Sequence, residues 1–421
     1  MMKDINHSQH VNKDLLGKAI AIYRHLNSIE FCDLDITERI IVYLFFRFLS
    51  FDDCKSPEYD MKGYLDDGLN FEVLTELAYR ARWMEMVGEM DGEEVFSFIL
   101  SLRDKLCTNR TSLEETSKSF CSSLGIELDG LEYFKIFSLI WKRKLSNYFS
   151  EDDLKLVEKV LEVSDGDFLL LESDILPGSF IGIGSERNIK AEISIRKDED
   201  RVLGKMLLFM ILPRDKWKSR RVVKQFSVEN LRTESHDGPN KIVSFSTMNP
   251  ISRGERDFAT VFNNTLSVIT PMIESGARTV FISSAFFLSS SLGNTRKCRT
   301  KLFDLDACLS ILTFGRARNN IILLDKTRKD SDNVVMFDLS DIVAKGAFEK
   351  ASCLISNSEV PEELKEYVLS VSRDEVEAND FMLYPSFYRE RSNIKTKSLD
   401  EIDVKLREKY SKLKRLLSLM S

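Results

Sequence analysis

Asn249-Pro250 closes the apolar run Ile242-Val243-Ser244-Phe245-Ser246 and leads through Ile251-Ser252 into a polar stretch, Arg253 to Asp257. The asparagine amide oxygen and the proline carbonyl are adjacent acceptors that can orient an amine. The same dipeptide also starts ordinary turns. A second polar cluster, Asp174 with Pro177-Gly178-Ser179, follows the apolar run Phe168-Leu169-Leu170-Leu171, and Gly182 and Gly184 lie just beyond it. Glu192 stands in the run Ala191–Ile195, and Glu229 lies before the Asn-Pro pair. The chain has no Ser/His/Asp triad, no P-loop and no His/Cys spacing for a metal, so no metal site is expected. What remains is chemistry by oriented hydrogen-bond acceptors at strand ends.

The elements that would hold these groups change type near residue 167. Before it, apolar positions recur at helical spacing through Leu15-Leu16, Ile20, Ile22-Tyr23 and Leu26, then from Ile40 to Leu49. Asp35-Ile36-Thr37-Glu38 offers capping chemistry ahead of the second run. Further helices are expected at Phe71–Val87, Glu93–Leu106, Leu131–Leu145 and Glu151–Val163. Beyond residue 167, short apolar runs read as strands: Phe168–Leu171, Ala191–Ile195, Ile242–Ser246, Thr279–Ile282, Leu309–Phe314, Ile321–Leu324 and Val334–Phe337. Helical stretches such as Arg201–Leu212 and Phe258–Ile269 separate them. Strands alternating with helices predict an α/β fold with a doubly wound, mostly parallel sheet. Ligands of such sheets bind at the carboxyl ends of the strands, which brings Asp174–Gly178 and Asn249-Pro250 to one crevice.

At 421 residues and 43% hydrophobic content the chain can build two or three globular cores. The net charge of -7 argues against a surface made for nucleic acid all over, while leaving room for a local basic face. Three clusters offer one: Lys216-Trp217-Lys218-Ser219-Arg220-Arg221 with Lys224; Arg296-Lys297-Arg299-Lys301; and Arg389, Arg391, Lys395 and Lys397. Each can neutralise phosphates, and each can equally be a solvated helix face. Seven scattered cysteines without a CxxC read as reduced thiols in a cytoplasmic protein. The N-terminus is polar, and the longest apolar run, Ile40 to Leu49, is too short to span a bilayer. Near the C-terminus, Ile402, Leu406, Tyr410, Leu413, Leu417 and Met420 mark an amphipathic helix able to pair with another.

The order of these features resembles the modification subunit of type I restriction-modification systems, the N6-adenine DNA methyltransferases. Tyr148-Phe149-Ser150-Glu151 stands where that family has a phrase like Phe-Phe-Thr-Pro. Ser173-Asp174-Ile175-Leu176-Pro177-Gly178-Ser179-Phe180 partly echoes its glycine-rich cofactor loop. Glu192-Ile193 precedes Gly204-Lys205-Met206-Leu207-Leu208, where the family has a strand ending Glu-Ile and a helix ending Lys-Met-Asn-Leu. Val228-Glu229-Asn230-Leu231 parallels Gly-Asp-x-Leu. Asn249-Pro250-Ile251-Ser252 parallels Asn-Pro-Pro-aromatic, followed here, as in the family, by Asp257-Phe258-Ala259. The fullest match runs from Glu377 through Asn379-Asp380 and Tyr384-Pro385-Ser386 to Tyr388. The resemblance covers residues 15 to 421.

The resemblance implies a helical N-terminal domain (1–147), a Rossmann-like methyltransferase domain (148–390) and a C-terminal helix for partner binding (391–421). It implies S-adenosylmethionine as cofactor, held by Phe149, Ser150, Asp174, Gly178, Ser179, Glu192 at the ribose and Glu229 at the adenine. Asn249 and Pro250 would receive the target amine. The motifs also depart from the family. Ile175-Leu176 put bulky side chains where backbone must meet cofactor, and the cofactor loop has lost a glycine. Ser252 replaces the ring that stacks on a flipped base. Stacking is worth about 1–3 kcal/mol, so its loss makes the flipped state roughly one to two orders of magnitude rarer. The segment between Leu309 and Leu324 is short enough for a plain hairpin, where the family has a base-enclosing loop. Two readings stand. One is a degenerate, non-catalytic relative serving as a subunit or scaffold of a DNA modification, restriction or anti-phage defence complex, with a weak or absent cofactor site. The other is an active, site-specific adenine-N6 methyltransferase with a divergent Asn-Pro-Ile-Ser motif. Expected partners are a specificity-like subunit or an intact methyltransferase or nuclease, with DNA reached through the basic clusters and no membrane.

Overall fold

The computed structural model describes residues 2–28, 34–51, 69–90, 92–108, 136, 151–173, 176, 178–224, 238–247, 255–305, 307–314, 319–327, 332–339 and 362–389. They form two compact units: Met1–Ser246 with Asn264–Phe281, and Thr247–Asn263 with Ile282–Ser421.

The first unit begins with four helices, α1 (Met2–Asn27), α2 (Ile36–Phe51), α3 (Phe71–Val87) and α4 (Glu94–Thr108). The Asp35 carboxylate accepts from the Thr37 and Glu38 N–H groups at 2.7 and 2.9 Å, and Glu38 accepts from the Asp35 N–H at 2.7 Å. This is the reciprocal cap expected from the sequence. From Ile40 to Phe46 every side chain is buried. A helix apolar on all sides must lie inside, and α2 packs against α6 (Asp198–Ile211), with Phe45 stacked on Phe209 at 6.4 Å. The anticipated helix at Leu131–Leu145 lies outside the described residues except for Ile136, and the C-terminal helix lies wholly outside them.

After α5 (Glu151–Leu161) come β1 (Phe168–Ser173), β2 (Lys190–Ile195), α6, β3 (Arg220–Val223), β4 (Lys241–Ser244), α7 (Glu255–Glu274) and β5 (Arg278–Ser283). The strands lie in the order β3-β2-β1-β4-β5, all parallel. Leu169 pairs with Ala191 on one side and with Lys241 on the other. β1 is buried almost along its whole length, as a strand covered on both faces must be. Gly204 lets α6 settle on β2, since a Cβ there would stand 2.7 Å from Ile195 Cδ1.

A buried charge cluster ties α6 to α3 and α4. Lys205 Nζ lies 3.0 Å from Glu94 Oε2 and 3.7 Å from Glu85 Oε1, with Lys205 fully buried and Glu85 2% exposed. Glu85 also accepts the Val95 and Phe96 N–H groups at 2.9 and 3.3 Å. Arg201 grips Glu94 with contacts of 2.6 to 3.0 Å.

In the second unit, β6 (Cys308–Thr313), β7 (Asn320–Asp325), β8 (Asn333–Asp338) and β9 (Val368–Ser372) lie in the order β7-β6-β8-β9. β6 and β7 pair antiparallel, as a hairpin requires, β6 and β8 parallel, β8 and β9 antiparallel. Its described residues include the helices α8 (Ala285–Ser289), α9 (Gly293–Phe303) and α10 (Arg373–Ala378). The conspicuous tail phrase clamps this unit: the Leu383 N–H donates to the Leu288 carbonyl at 2.9 Å, Tyr388 Oη to the Met382 carbonyl at 2.6 Å, and Phe381 meets Phe303 edge-on at 5.2 Å. Two strands, β3 and β9, are additional to those read from the sequence, and β4 ends at Ser244 rather than Ser246.

Candidate functional site

The chain builds β1, β2 and β3 outward in one direction, then returns to place β4 on the other side of β1. Ligands of open parallel sheets lie beyond the strand ends at such a reversal. The carboxyl ends meeting there belong to β1 and β4, with β2 alongside.

Glu172, next to last in β1, pairs in register with Ser194 and Ser244. Its carboxylate is buried. Oε1 accepts from Thr265 Oγ1 at 2.9 Å and from Arg196 Nη2 at 3.0 Å, and Oε2 accepts from Ser244 Oγ at 3.3 Å. Arg196, just past β2, also donates to Thr265 Oγ1 at 3.1 Å. Ser244 Oγ lies 2.9 Å from Ser246 Oγ, and the Phe245 N–H donates to the Glu172 carbonyl at 3.0 Å. The cluster joins three strand ends to α7 through one neutralised carboxylate. Side chains alternate along a strand, so Phe245 points away from Ser244. It meets Phe180 edge-on at 5.2 Å, from the 3-10 turn Gly178–Gly182. Leu176, Ile181 and Ile183 are buried with it.

Of the residues expected to bind a ligand, Gly178 and Ser179 open the turn after β1. Glu192 is half-buried, the third of six residues in β2, level with Leu170 and Arg221. Three residues of extended chain put it about 10 Å short of the strand end. Phe149, Ser150, Asp174, Glu229, Asn249, Pro250, Ile251 and Ser252 lie outside the described residues. The sequence reading passed over Glu172, Arg196, Ser244, Ser246 and Thr265. Its available signal was polar residues closing two apolar runs, Glu172-Ser173 and Ser244-Phe245-Ser246.

The turn beyond the crevice is pinned from below. Gly184 has φ +64°, and a Cβ there would lie 2.4 Å from Ile189 Cδ1. Its N–H donates to Glu158 at 2.5 Å, and Arg220 donates to the Ile183 and Gly184 carbonyls at 2.9 and 2.8 Å. Burial lowers the Arg220 pKa to about 10, against the pull of Glu158. A Gly184→Val substitution should destabilise the protein by about 1–3 kcal/mol, because a β-branched residue strongly disfavours this left-handed backbone. Urea unfolding measures it, and an unchanged midpoint would show the turn can relax.

The basic clusters are largely engaged internally. In the first, Trp217 and Arg220 are buried, Lys216 donates to the Ser185 carbonyl, and Lys218 and Lys224 pair with Glu89 and Asp198. In the second, Arg299 is buried against the Phe287 and Ser290 carbonyls at 2.5 and 2.6 Å, and Arg296 pairs with Asp380 at 3.0 Å. In the third, Arg389 donates to the Glu366 carbonyl at 2.8 Å; Arg391, Lys395 and Lys397 lie outside the described residues. Among the described residues no cluster of His, Cys, Asp and Glu is arranged to hold a metal, and no helix is long and apolar enough to cross a membrane.

No protein-family model and no curated protein matches the sequence. Comparison of folds is more informative. The crystal structure of the type I restriction-modification system methyltransferase subunit from Streptococcus thermophilus superposes with a TM-score of 0.57 at 12% identity, over 88% of this chain and 98% of that one. The chain has the fold of that methyltransferase subunit. The match spans nearly the whole modification subunit, in keeping with the Rossmann-like architecture expected from the order of motifs. Two further structures give weaker superpositions that add nothing to this assignment. The type IIG restriction endonuclease BpuSI scores 0.44 at 12% identity, over 83% of this chain and 44% of that one. The M protein of the type I restriction enzyme EcoKI scores 0.35 at 13% identity, over 86% and 87%.

Proposed function

We propose that this chain is a non-catalytic methyltransferase-like subunit, a scaffold in a DNA modification, restriction or anti-phage defence complex. The observation that carries this reading is the condition of Glu172. A carboxylate at this strand end serves a ligand only if its acceptor positions face outward. Here they face Thr265, Arg196 and Ser244. The Arg196 guanidinium sits on that carboxylate, so the pair is satisfied within the protein. Phe180 and Phe245 fill the other face of the strand end with protein. Both features support a crevice that holds no cofactor. Ile175-Leu176 and Ser252 depart from the family's motifs in the same direction.

In this reading the three sequence regions serve assembly. The helical region and the C-terminal segment hold protein partners, and contact with DNA is left to the complex. Calorimetric titration of the full chain with S-adenosylmethionine should give no heat of binding, and incubation with labelled cofactor and DNA should transfer no label. Micromolar binding, with transfer abolished by Asn249→Ala, would overturn the proposal in favour of an active adenine-N6 methyltransferase.

A further inference from the structure

The turn Gly178–Gly182 follows β1 at the point where the strand order reverses. Ligands of an open parallel sheet lie beyond the strand ends there, against the turn that leaves the strand. Phe180 puts a large side chain into that position. It is 1% exposed, and its ring lies edge-on to Phe245 at 5.2 Å. Phe245 is the first residue past β4 and is 4% exposed. The two rings therefore join the segments leaving β1 and β4, the strands on which the chain changes direction. Core rings elsewhere in this unit sit between elements: Phe209 of α6 meets Phe45 of α2 at 6.4 Å and Trp217 at 4.9 Å. The Phe180–Phe245 contact lies beyond the strands instead, in space that this kind of sheet leaves for a ligand. An edge-on pair at this separation is a favoured aromatic geometry, so each ring holds the other in place.

The turn that carries Phe180 is anchored on both sides. Leu176, Ile181 and Ile183 are buried, and a Cβ at Gly182 would stand 3.0 Å from Ile211 Cγ2 of α6, so the turn lies close against that helix. The residues that follow are held by Glu158 at the Gly184 N–H, by Arg220 at the Ile183 and Gly184 carbonyls, and by Lys216 at the Ser185 carbonyl. A ring that swung clear one time in a hundred would weaken a ligand only about a hundredfold, because apparent affinity falls with the competent fraction. A ring held in place abolishes binding.

We propose that Phe180 is the crevice's own occupant: its ring takes the space beside Phe245 that S-adenosylmethionine would need, and excludes it sterically. This role for Phe180 rests on the reading of the chain as a non-catalytic subunit, and it names the side chain that makes it so. The satisfied Glu172 deprives a ligand of a partner, whereas Phe180 deprives it of room.

Titration of the full chain with S-adenosylhomocysteine, which keeps the nucleoside and lacks the charge at sulfur, tests this by heat of binding and by melting temperature. The parent should give neither heat nor shift. Phe180→Gly, Phe180→Ala and Phe180→Leu should each bind, in an order graded by side-chain size, with the glycine variant about tenfold tighter than the leucine one. Bound ligand should raise the melting temperature of each. The leucine variant keeps most of the packing, so it reads the effect even if the smaller side chains do not fold. Indole is the control, since an apolar cavity takes up a small apolar ring wherever it lies. Variants that take up indole but not S-adenosylhomocysteine have gained an ordinary core cavity, and that overturns the proposal. So does silence towards both ligands in every folded variant. A parent that binds S-adenosylhomocysteine removes the scaffold reading as well; silent variants beside a silent parent remove only the role of Phe180.

Discussion

Lys205→Met should destabilise the first unit by about 3–5 kcal/mol, the cost of leaving a buried charge without its partner. Methionine keeps the stem volume, so the loss is one of charge and not of packing. Glu94 retains Arg201, and Glu85 retains the Val95 and Phe96 N–H groups. Burial already pushes the Glu85 carboxyl above the ordinary glutamate range, against its backbone hydrogen bonds and Lys205. Removing Lys205 raises it further. A carboxyl whose pKa is raised by folding contributes stability that is complete below its unfolded pKa and lost as pH rises through the folded value. The penalty in the variant is therefore largest at neutral pH and shrinks in acid, as Glu85 takes up a proton. Urea unfolding at two pH values measures both. Lys205→Met/Glu85→Gln should recover much of the loss, because the acid can no longer be left charged. Lys218→Met, which breaks an exposed pair, should leave the midpoint unchanged. A Lys205→Met midpoint equal to the parent's would mean that the cluster contributes nothing to the joint between α6 and the α3–α4 pair.

The second large effect distinguishes a vestigial site from a working one. Glu172→Ala should cost about 2–4 kcal/mol, since Arg196, Thr265 and Ser244 lose their common acceptor. Residues kept for ligand binding behave oppositely: they hold polar groups ready at the expense of stability, and their removal commonly leaves the fold as stable or more so. Thermal melting of the full chain, with and without S-adenosylmethionine, separates the cases. A lowered melting temperature and no response to cofactor are expected. A variant as stable as the parent, in a protein whose parent responds to cofactor, would identify Glu172 as a ligand-holding acid and remove the basis of the scaffold reading.

Much of this fold was legible because local pattern and burial agree. α2 is apolar all round and lies inside; β1, β5 and β7 are continuous apolar runs and are covered on both faces. β3 was hidden because its four residues, Arg-Arg-Val-Val, show no alternation of polar and apolar types and lie at the edge of the first unit's strand set, so Arg220-Arg221 read as surface charge. Lys205 was visible only as part of a family phrase. Its meaning depends on Glu85 and Glu94, more than a hundred residues earlier. Glu172 poses the same difficulty: Thr265 stands 93 residues away. Pattern reading finds elements by short-range period, whereas a polar cluster is defined by residues that only the tertiary fold brings together.

The interleaving of the two units bears on how the chain must be handled and how it is born. The first unit closes only when Asn264–Phe281 has been made, because β5 pairs along β4. During synthesis, everything up to Ser246 emerges with the β4 edge bare. A nascent chain stalled there, or a fragment cut there, presents an unpaired strand next to an apolar core, the usual starting point for aggregation. Fragments meant to isolate the helical region and parallel strands should therefore extend to Ser283, or carry 264–283 as an added segment. A cut at the apparent boundary after Ser246 should give inclusion bodies.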